Sequence, residues 1–167
     1  RTEGITGDEL LLLKTAALFH DAGFVQQPDG HEEISCIWAR EHLPRFDYSA
    51  AQIDQICRTI MATKLPQTPV DHLGELLCDA DLFYIGEEGY AANATRLYRE
   101  FKYRGITKTD ADWDLMQLDF LSTHRFFTQS ANDQLESAKQ KVIIGLNDRI
   151  SKTMATNHEN EPAQLLQ

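Results

Sequence analysis

Two segments that lie far apart in the chain carry side chains able to bind a metal ion. His20 and Asp21 follow one another at the end of an apolar stretch, and Asp79 and Asp81 flank a single alanine. Imidazole nitrogen and carboxylate oxygen are ligands that divalent metals accept. An ionised carboxylate among apolar residues costs several kcal/mol unless it is paired or coordinates a metal. For the His-Asp pair, the alternative is a helix end at which both side chains turn to solvent.

Helical spacing separates the two aspartates. Asp81 shares a face with Leu73 and Leu77 at offsets of four, whereas Asp79 falls on another side of the same helix. We therefore predict that Asp81 points toward the core and is the metal ligand. Asp79 is predicted to lie at the surface, or near the metal ligands without binding the metal itself. The alternative for Asp81 is a salt bridge to a buried arginine or lysine.

Helical periodicity dominates the rest of the chain, and it predicts an all-α fold, a compact bundle of about six or seven helices. Capping boxes at Thr6–Glu9 and Ser49–Gln52 mark two helix starts. The first helix is apolar nearly all round, so we expect it to be buried. One domain is predicted over residues 1–152, followed by a polar tail over 153–167. The helices are predicted over about 7–23, 31–43, 49–63, 71–85, 91–103, 110–127 and 131–152.

Composition narrows the classes of partner. The 167 residues carry a formal net charge of −10, whereas binders of long nucleic acids need a basic surface. A small phosphorylated molecule remains possible, because a metal ion can supply local positive charge. The three cysteines form no CxxC pair and suit a reducing cytoplasm. No apolar run approaches the ~18 residues of a membrane span, so no membrane partner is expected.

Four short phrases follow in a set order: ALFHD at 17–21, HEEIS at 31–35, IMATK at 60–64 and DADL at 79–82. Their order and spacing resemble the HD superfamily of metal-dependent phosphohydrolases, over roughly residues 10–86. The resemblance implies a helical fold. It also implies that His20, Asp21 and Asp81 hold a divalent metal ion, whose identity among Mn, Fe, Co, Ni, Zn and Mg is left open.

The resemblance also implies a role for His31, which would hold a second metal or meet the substrate phosphate. Lys64 extends the apolar line of the third helix, and its ammonium is predicted to reach that phosphate as a point charge. We also predict that Asp21 doubles as a metal ligand and a proton acceptor. The alternatives are a local hydrogen bond for His31 and an ammonium turned to water for Lys64. Lys64 stands where an additional histidine would favour two metals, so one metal is expected.

The family pattern includes one more metal-binding histidine upstream of the His-Asp pair, and no histidine precedes His20 here. We expect that this part of the pattern lies outside the given sequence. The alternative is a degenerate site that binds metal poorly.

The predicted function is hydrolysis, by a hydroxide generated on the metal, of a phosphoester or phosphoanhydride in a nucleotide or another small phosphorylated molecule. The main alternative is a catalytically weak or inactive ligand-binding or regulatory module with the same fold. Oxidation by paired irons would need more histidine ligands than the sequence offers. A homodimer or an attached domain is compatible with the sequence.

Overall fold

The structure is a computed structural model that describes residues 3–87 and 89–159, with side chains described through residue 155. Every regular element within these residues is helical, which confirms the predicted all-α class. None of these helices combines the length and the apolar character that a membrane span requires. The α-helices are α1 Gly7–Phe19, α2 His31–His42, α3 Ala50–Met61, α4 His72–Asp81, α5 Tyr90–Tyr103, α6 Asp110–Thr123 and α7 Gln129–Glu159.

Four predicted helix ends are wrong: 3-10 turns explain two of them, and an extended residue, His124, ends the sixth helix at Thr123 in place of residue 127. The first helix stops at Phe19 and is followed by a 3-10 helix, Ala22–Val25. The fourth stops at Asp81, because Leu82 leaves the helical region before a second 3-10 helix, Phe83–Gly86. The last runs on through residues 153–159, where the polar tail was predicted, while residues 160–167 lie outside the described part of the chain.

Side-chain caps account for several helix starts. Ser49 and Gln52 make both bonds of the predicted capping box at α3. Asp71 accepts a hydrogen bond of 2.9 Å from the Gly74 amide and so caps α4. The box predicted at Thr6 is wrong, because Thr6 makes no side-chain capping bond, although α1 does begin at the next residue.

By its internal contacts the chain divides into two units, and the first comprises residues 1–82, described from residue 3, and residues 126–132. Its core lies where α3 packs against α1 and α2. The expected burial of α1 is wrong within this unit, since Leu18 is 79% exposed and Leu11 is also exposed. The three cysteines are buried and free. The core residues of the first unit are Ala16, Cys36, Ala39, Leu43, Ile53, Ile56, Cys57, Ile60 and Leu77.

Asp79 is buried in the first unit and only 5% exposed, so the prediction that it lies at the surface is wrong. Its carboxylate accepts 2.8 Å bonds from the backbone amides of Phe127 and Thr128, and a 2.7 Å bond from the Thr128 hydroxyl. These three donors satisfy a buried charge. Asp79 therefore anchors residues 126–132 to α4 within this unit.

The second unit comprises residues 83–125 and 133–167, described as far as residue 159. Trp113 on α6 contacts two aromatic rings of α5, those of Tyr98 and Phe101, each at a centroid distance of 5.6 Å. The Arg149 guanidinium on α7 binds the Asp114 carboxylate with bonds of 2.9 and 3.1 Å. These contacts join α5, α6 and α7 within the unit.

Replacing Asp79 with alanine is expected to lower the free energy of unfolding by about 3 kcal/mol or more, because unsatisfied buried donors cost ~1–3 kcal/mol each. Urea denaturation of Asp79→Ala should give a lower midpoint with little change in slope. Asp148→Ala, which removes an exposed carboxylate, should change stability by no more than about 0.5 kcal/mol. Equal effects of the two substitutions would contradict an anchoring role for Asp79.

Candidate metal centre

His20, Asp21 and Asp81 converge at one point of the first unit, although sixty residues separate the two segments. The Nε2 atom of His20 lies 3.4 Å from an Oδ atom of Asp21 and 3.4 Å from an Oδ atom of Asp81. One ligand atom from each residue lies within 4.8 Å of the other two. A single cation placed among these atoms could contact all three side chains.

Two helix ends bring these ligands together. His20 is the residue that follows α1, and Asp81 is the last residue of α4. A helix C-terminus carries about half a negative charge, which favours cations. Two carboxylates and two helix C-termini therefore concentrate negative charge around the His20 imidazole, and a positive charge at this point would be stabilised.

The hydrogen bond of Nδ1 directs the other ring nitrogen of His20, Nε2, toward the two carboxylates. Its Nδ1 atom lies 2.8 Å from the Ala17 carbonyl oxygen. A carbonyl oxygen can only accept, so Nδ1 carries the proton and donates. Nε2 then faces the two carboxylates with its lone pair available whenever the ring is neutral. A backbone carbonyl that fixes the ring in this way is typical of histidine ligands to metals.

The surroundings of His20 raise its pKa from 6.5 to about 9 in the metal-free protein. The largest cause is the hydrogen bond to Asp81, while partial burial opposes it, and the Ala17 carbonyl and the charge of Asp21 add to the increase in pKa. The proton on His20 thus balances the negative charge of the carboxylates, as a metal ion at the same place would. This preference for positive charge agrees with the donor set.

Asp21 stands between two histidines. One of its carboxylate oxygens faces His20, and the other lies 3.4 Å from Nε2 of His31. His31 is the first residue of α2, and its Nδ1 atom donates to the Pro28 carbonyl oxygen at 2.8 Å. Asp21 is 56% exposed and Asp81 is 26% exposed. The cluster is therefore open to solvent on the side of Asp21.

A buried serine holds the backbone around the cluster. The Ser35 hydroxyl donates to the His20 carbonyl oxygen and accepts from the Gly23 amide, both at 2.9 Å. At Gly23 the backbone also approaches α2 closely, since a Cβ added there would lie 2.1 Å from the His31 carbonyl oxygen. Ser35 and Gly23 therefore join the turn after α1 to the start of α2.

Sequence reasoning missed these positioning roles. Ser35 was visible as part of the phrase HEEIS, and Gly23 as the glycine after the His-Asp pair. Neither the spacing nor the composition indicates that the two residues meet. Periodicity also placed Asp81 on the core side, whereas it is Asp79 that is the more deeply buried of the two aspartates.

Lys64, predicted to meet the substrate phosphate, has its ammonium on the carboxylate of Glu33. This ion pair raises the pKa of Lys64 and lowers that of Glu33. Both side chains are nearly half exposed, so the pair contributes little to stability. The predicted role of Lys64 would require release from Glu33.

Searches of family models, curated proteins and solved structures found no match to this chain. The chemistry of the cluster is therefore read from its own side chains. One imidazole nitrogen and two carboxylate oxygens suit Mn, Fe, Co, Ni or Zn as a mixed donor set, and they also include the oxygen ligands that Mg accepts.

The raised pKa of His20 has a consequence for stability in the metal-free protein. Because the folded value lies above the unfolded 6.5, protonated His20 stabilises the fold below pH 6.5, and this contribution is lost as pH rises through about 9. In Asp81→Asn the imidazole should titrate closer to 6.5. An NMR titration of the His20 ring should detect this decrease, and an unchanged pKa would exclude Asp81 as its main cause.

Gly23→Ala is expected to separate the turn after α1 from α2, because the added Cβ cannot occupy a point 2.1 Å from a carbonyl oxygen. The variant should lose stability and bind divalent metal at least about tenfold more weakly, as disturbed supporting contacts do at metal sites. Gly145→Ala is the matched control, since its Cβ meets nothing within 4 Å. It lies within α7 and should stabilise the protein by about 0.5–1 kcal/mol. Thermal unfolding and metal titration calorimetry measure both effects.

Proposed function

We propose that this protein is a metal-dependent phosphohydrolase that acts on a small phosphorylated molecule, with a nucleotide as the leading substrate class. The observation that carries the proposal is the convergence of His20, Asp21 and Asp81 at the ends of α1 and α4. The resemblance of the four ordered phrases to the HD superfamily supplies the reaction class and the substrate class. The geometry of the cluster supports the first step of that reaction, the binding of a cation.

Three protein ligands leave coordination positions open, as catalytic metal sites require. A divalent ion held by these side chains would polarise a phosphoryl oxygen and would lower the pKa of a bound water toward ~7. Asp21 and Asp81 offer one oxygen each, and His20 offers Nε2 once its proton is lost. The cluster is open to solvent at Asp21, so a small substrate could reach a cation held there.

His31 is the group we assign to proton handling. Its Nε2 atom lies 3.4 Å from Asp21, and its Nδ1 proton is held by the Pro28 carbonyl oxygen. Nε2 can therefore take up a proton that arises beside Asp21, and the carboxylate stabilises the resulting imidazolium. Protonated His31 then presents positive charge to the phosphoryl oxygens, where negative charge builds up during hydrolysis.

The charge of the chain limits the size of the substrate. A net charge of −10 repels an extended polyanion. A single phosphate group can still bind, because its charge is balanced locally at the metal. A small phosphoester or phosphoanhydride therefore fits this protein better than a nucleic acid does.

Metal binding is the first test. Purified protein should bind one divalent ion per chain from a panel of Mn, Co, Ni, Zn and Mg, with the ratio measured by elemental analysis after dialysis. Asp81→Ala should lose the ion, because only two ligands remain. Asp148→Ala removes an exposed carboxylate outside the cluster and should retain it. Stoichiometric metal in Asp81→Ala would exclude this site.

Turnover is the second test. With saturating metal, the protein should release phosphate from at least one member of a panel of nucleotides, sugar phosphates and phosphoanhydrides. His31→Ala should reduce kcat by ~10²–10⁴-fold, the usual contribution of a general acid or base, while still binding the metal. Tight metal binding without turnover of any panel member would favour the ligand-binding or regulatory module over the enzyme.

A further inference from the structure

An aromatic ring lies directly against the candidate metal centre. The Phe24 ring stacks on the His31 imidazole, with a centroid distance of 3.7 Å and an angle of 30° between the planes. His31 in turn contacts Asp21 through Nε2. Two short contacts therefore connect the Phe24 ring to a carboxylate of the cluster.

One face of the Phe24 ring is covered, and much of the rest is open. His31 occupies the stacked face, yet the side chain is 46% exposed. The exposed area must come largely from the opposite face and the ring edge. An uncovered aromatic face at the surface has a free-energy cost in water that a flat ligand would relieve.

The position of this ring is set by the backbone. The Phe24 amide donates to the Asp21 carbonyl oxygen at 3.0 Å, inside the 3-10 turn. The preceding residue, Gly23, is fixed against α2 by its approach to His31 and by the Ser35 hydroxyl. The turn that carries Phe24 is therefore held by the same contacts that hold the metal-binding segment.

We propose that Phe24 is a stacking platform for the base of a nucleotide whose phosphate binds at the metal centre. The inference rests on the proposed function and specifies its substrate class. Stacking needs only a π face, so Phe24 would favour nucleotides over sugar phosphates without distinguishing among bases. Phe24 is thus a specificity-determining residue, and the phosphoryl chemistry remains with the cluster.

The test compares two substrates that differ in the base alone. Adenosine 5′-monophosphate and ribose 5-phosphate carry the same phosphoester on the same sugar carbon. With saturating Mn²⁺, the wild-type protein should prefer the nucleotide by about tenfold in kcat/KM, the scale of one base stacked on an aromatic ring. Phe24→Ala and Phe24→Leu should abolish this preference through KM, any loss of turnover caused by a change at His31 being shared equally by the two substrates, and Phe24→Tyr should keep the preference.

Two controls separate stacking from a purely structural role of Phe24. If the ring serves only to orient His31, Phe24→Ala will lower turnover of both substrates equally and the preference will survive, which overturns the inference. Val25→Ala truncates the neighbouring exposed apolar side chain and should keep the preference.

Calorimetry with Mn²⁺ measures the affinities of the same two compounds and tests the stacking role of Phe24 without requiring catalysis. A nucleotide preference in binding that disappears in Phe24→Leu supports the inference even if no phosphate is released, in which case the proposed function fails alone. Equal affinities of the two compounds for the wild-type protein, including no binding of either, overturn the inference.

Discussion

The arrangement of the first unit depends on how negative charge is balanced at the joined ends of α1 and α4. Both helices present their C-termini here, and both contribute a carboxylate, Asp21 just after α1 and Asp81 at the end of α4. His20 is the one cationic group within contact distance of both carboxylates among the described residues, and its raised pKa reflects that demand. A proton meets the demand in the metal-free protein. A divalent ion would meet it more fully, because it carries twice the charge and contacts all three side chains.

The start of α2 supplies the opposite polarity. A helix N-terminus carries about half a positive charge, and α2 begins at His31, which faces Asp21. The acidic residues Glu32 and Glu33 in its first turn complement that end of the helix. Asp21 therefore lies between the His20 imidazole on one side and the positive N-terminus of α2 on the other. In this position one carboxylate contacts both His20 and His31.

The candidate metal centre and the exposed Phe24 ring share one short turn. Residues 21–25 carry the Asp21 carboxylate at one end and an exposed aromatic ring near the other, with Gly23 between them. Ser35 and the His31 carbonyl hold this turn against α2. A ligand that contacts both the cation and the Phe24 ring would thus be recognised by parts whose spacing the main chain sets. Such preorganisation lowers the entropic cost of binding.

Local sequence determined much of this protein. Periodicity predicted seven helices and the all-α class, and the Ser49–Gln52 capping box predicted a helix start that the structure confirms. These features are predictable because they arise from interactions within four residues. The family resemblance that the four ordered phrases carry selected the three side chains that the fold brings together.

The tertiary structure decided which of the remaining residues support that cluster. Asp79 can be buried because backbone amides 48 and 49 residues further along the chain donate hydrogen bonds to its carboxylate. The helical spacing within α4 does not predict those donors. The hydrogen bonds of the Ser35 hydroxyl and the stacking of Phe24 on His31 also join separate elements. Contacts of this kind depend on which elements meet in space, and no local pattern of spacing encodes them.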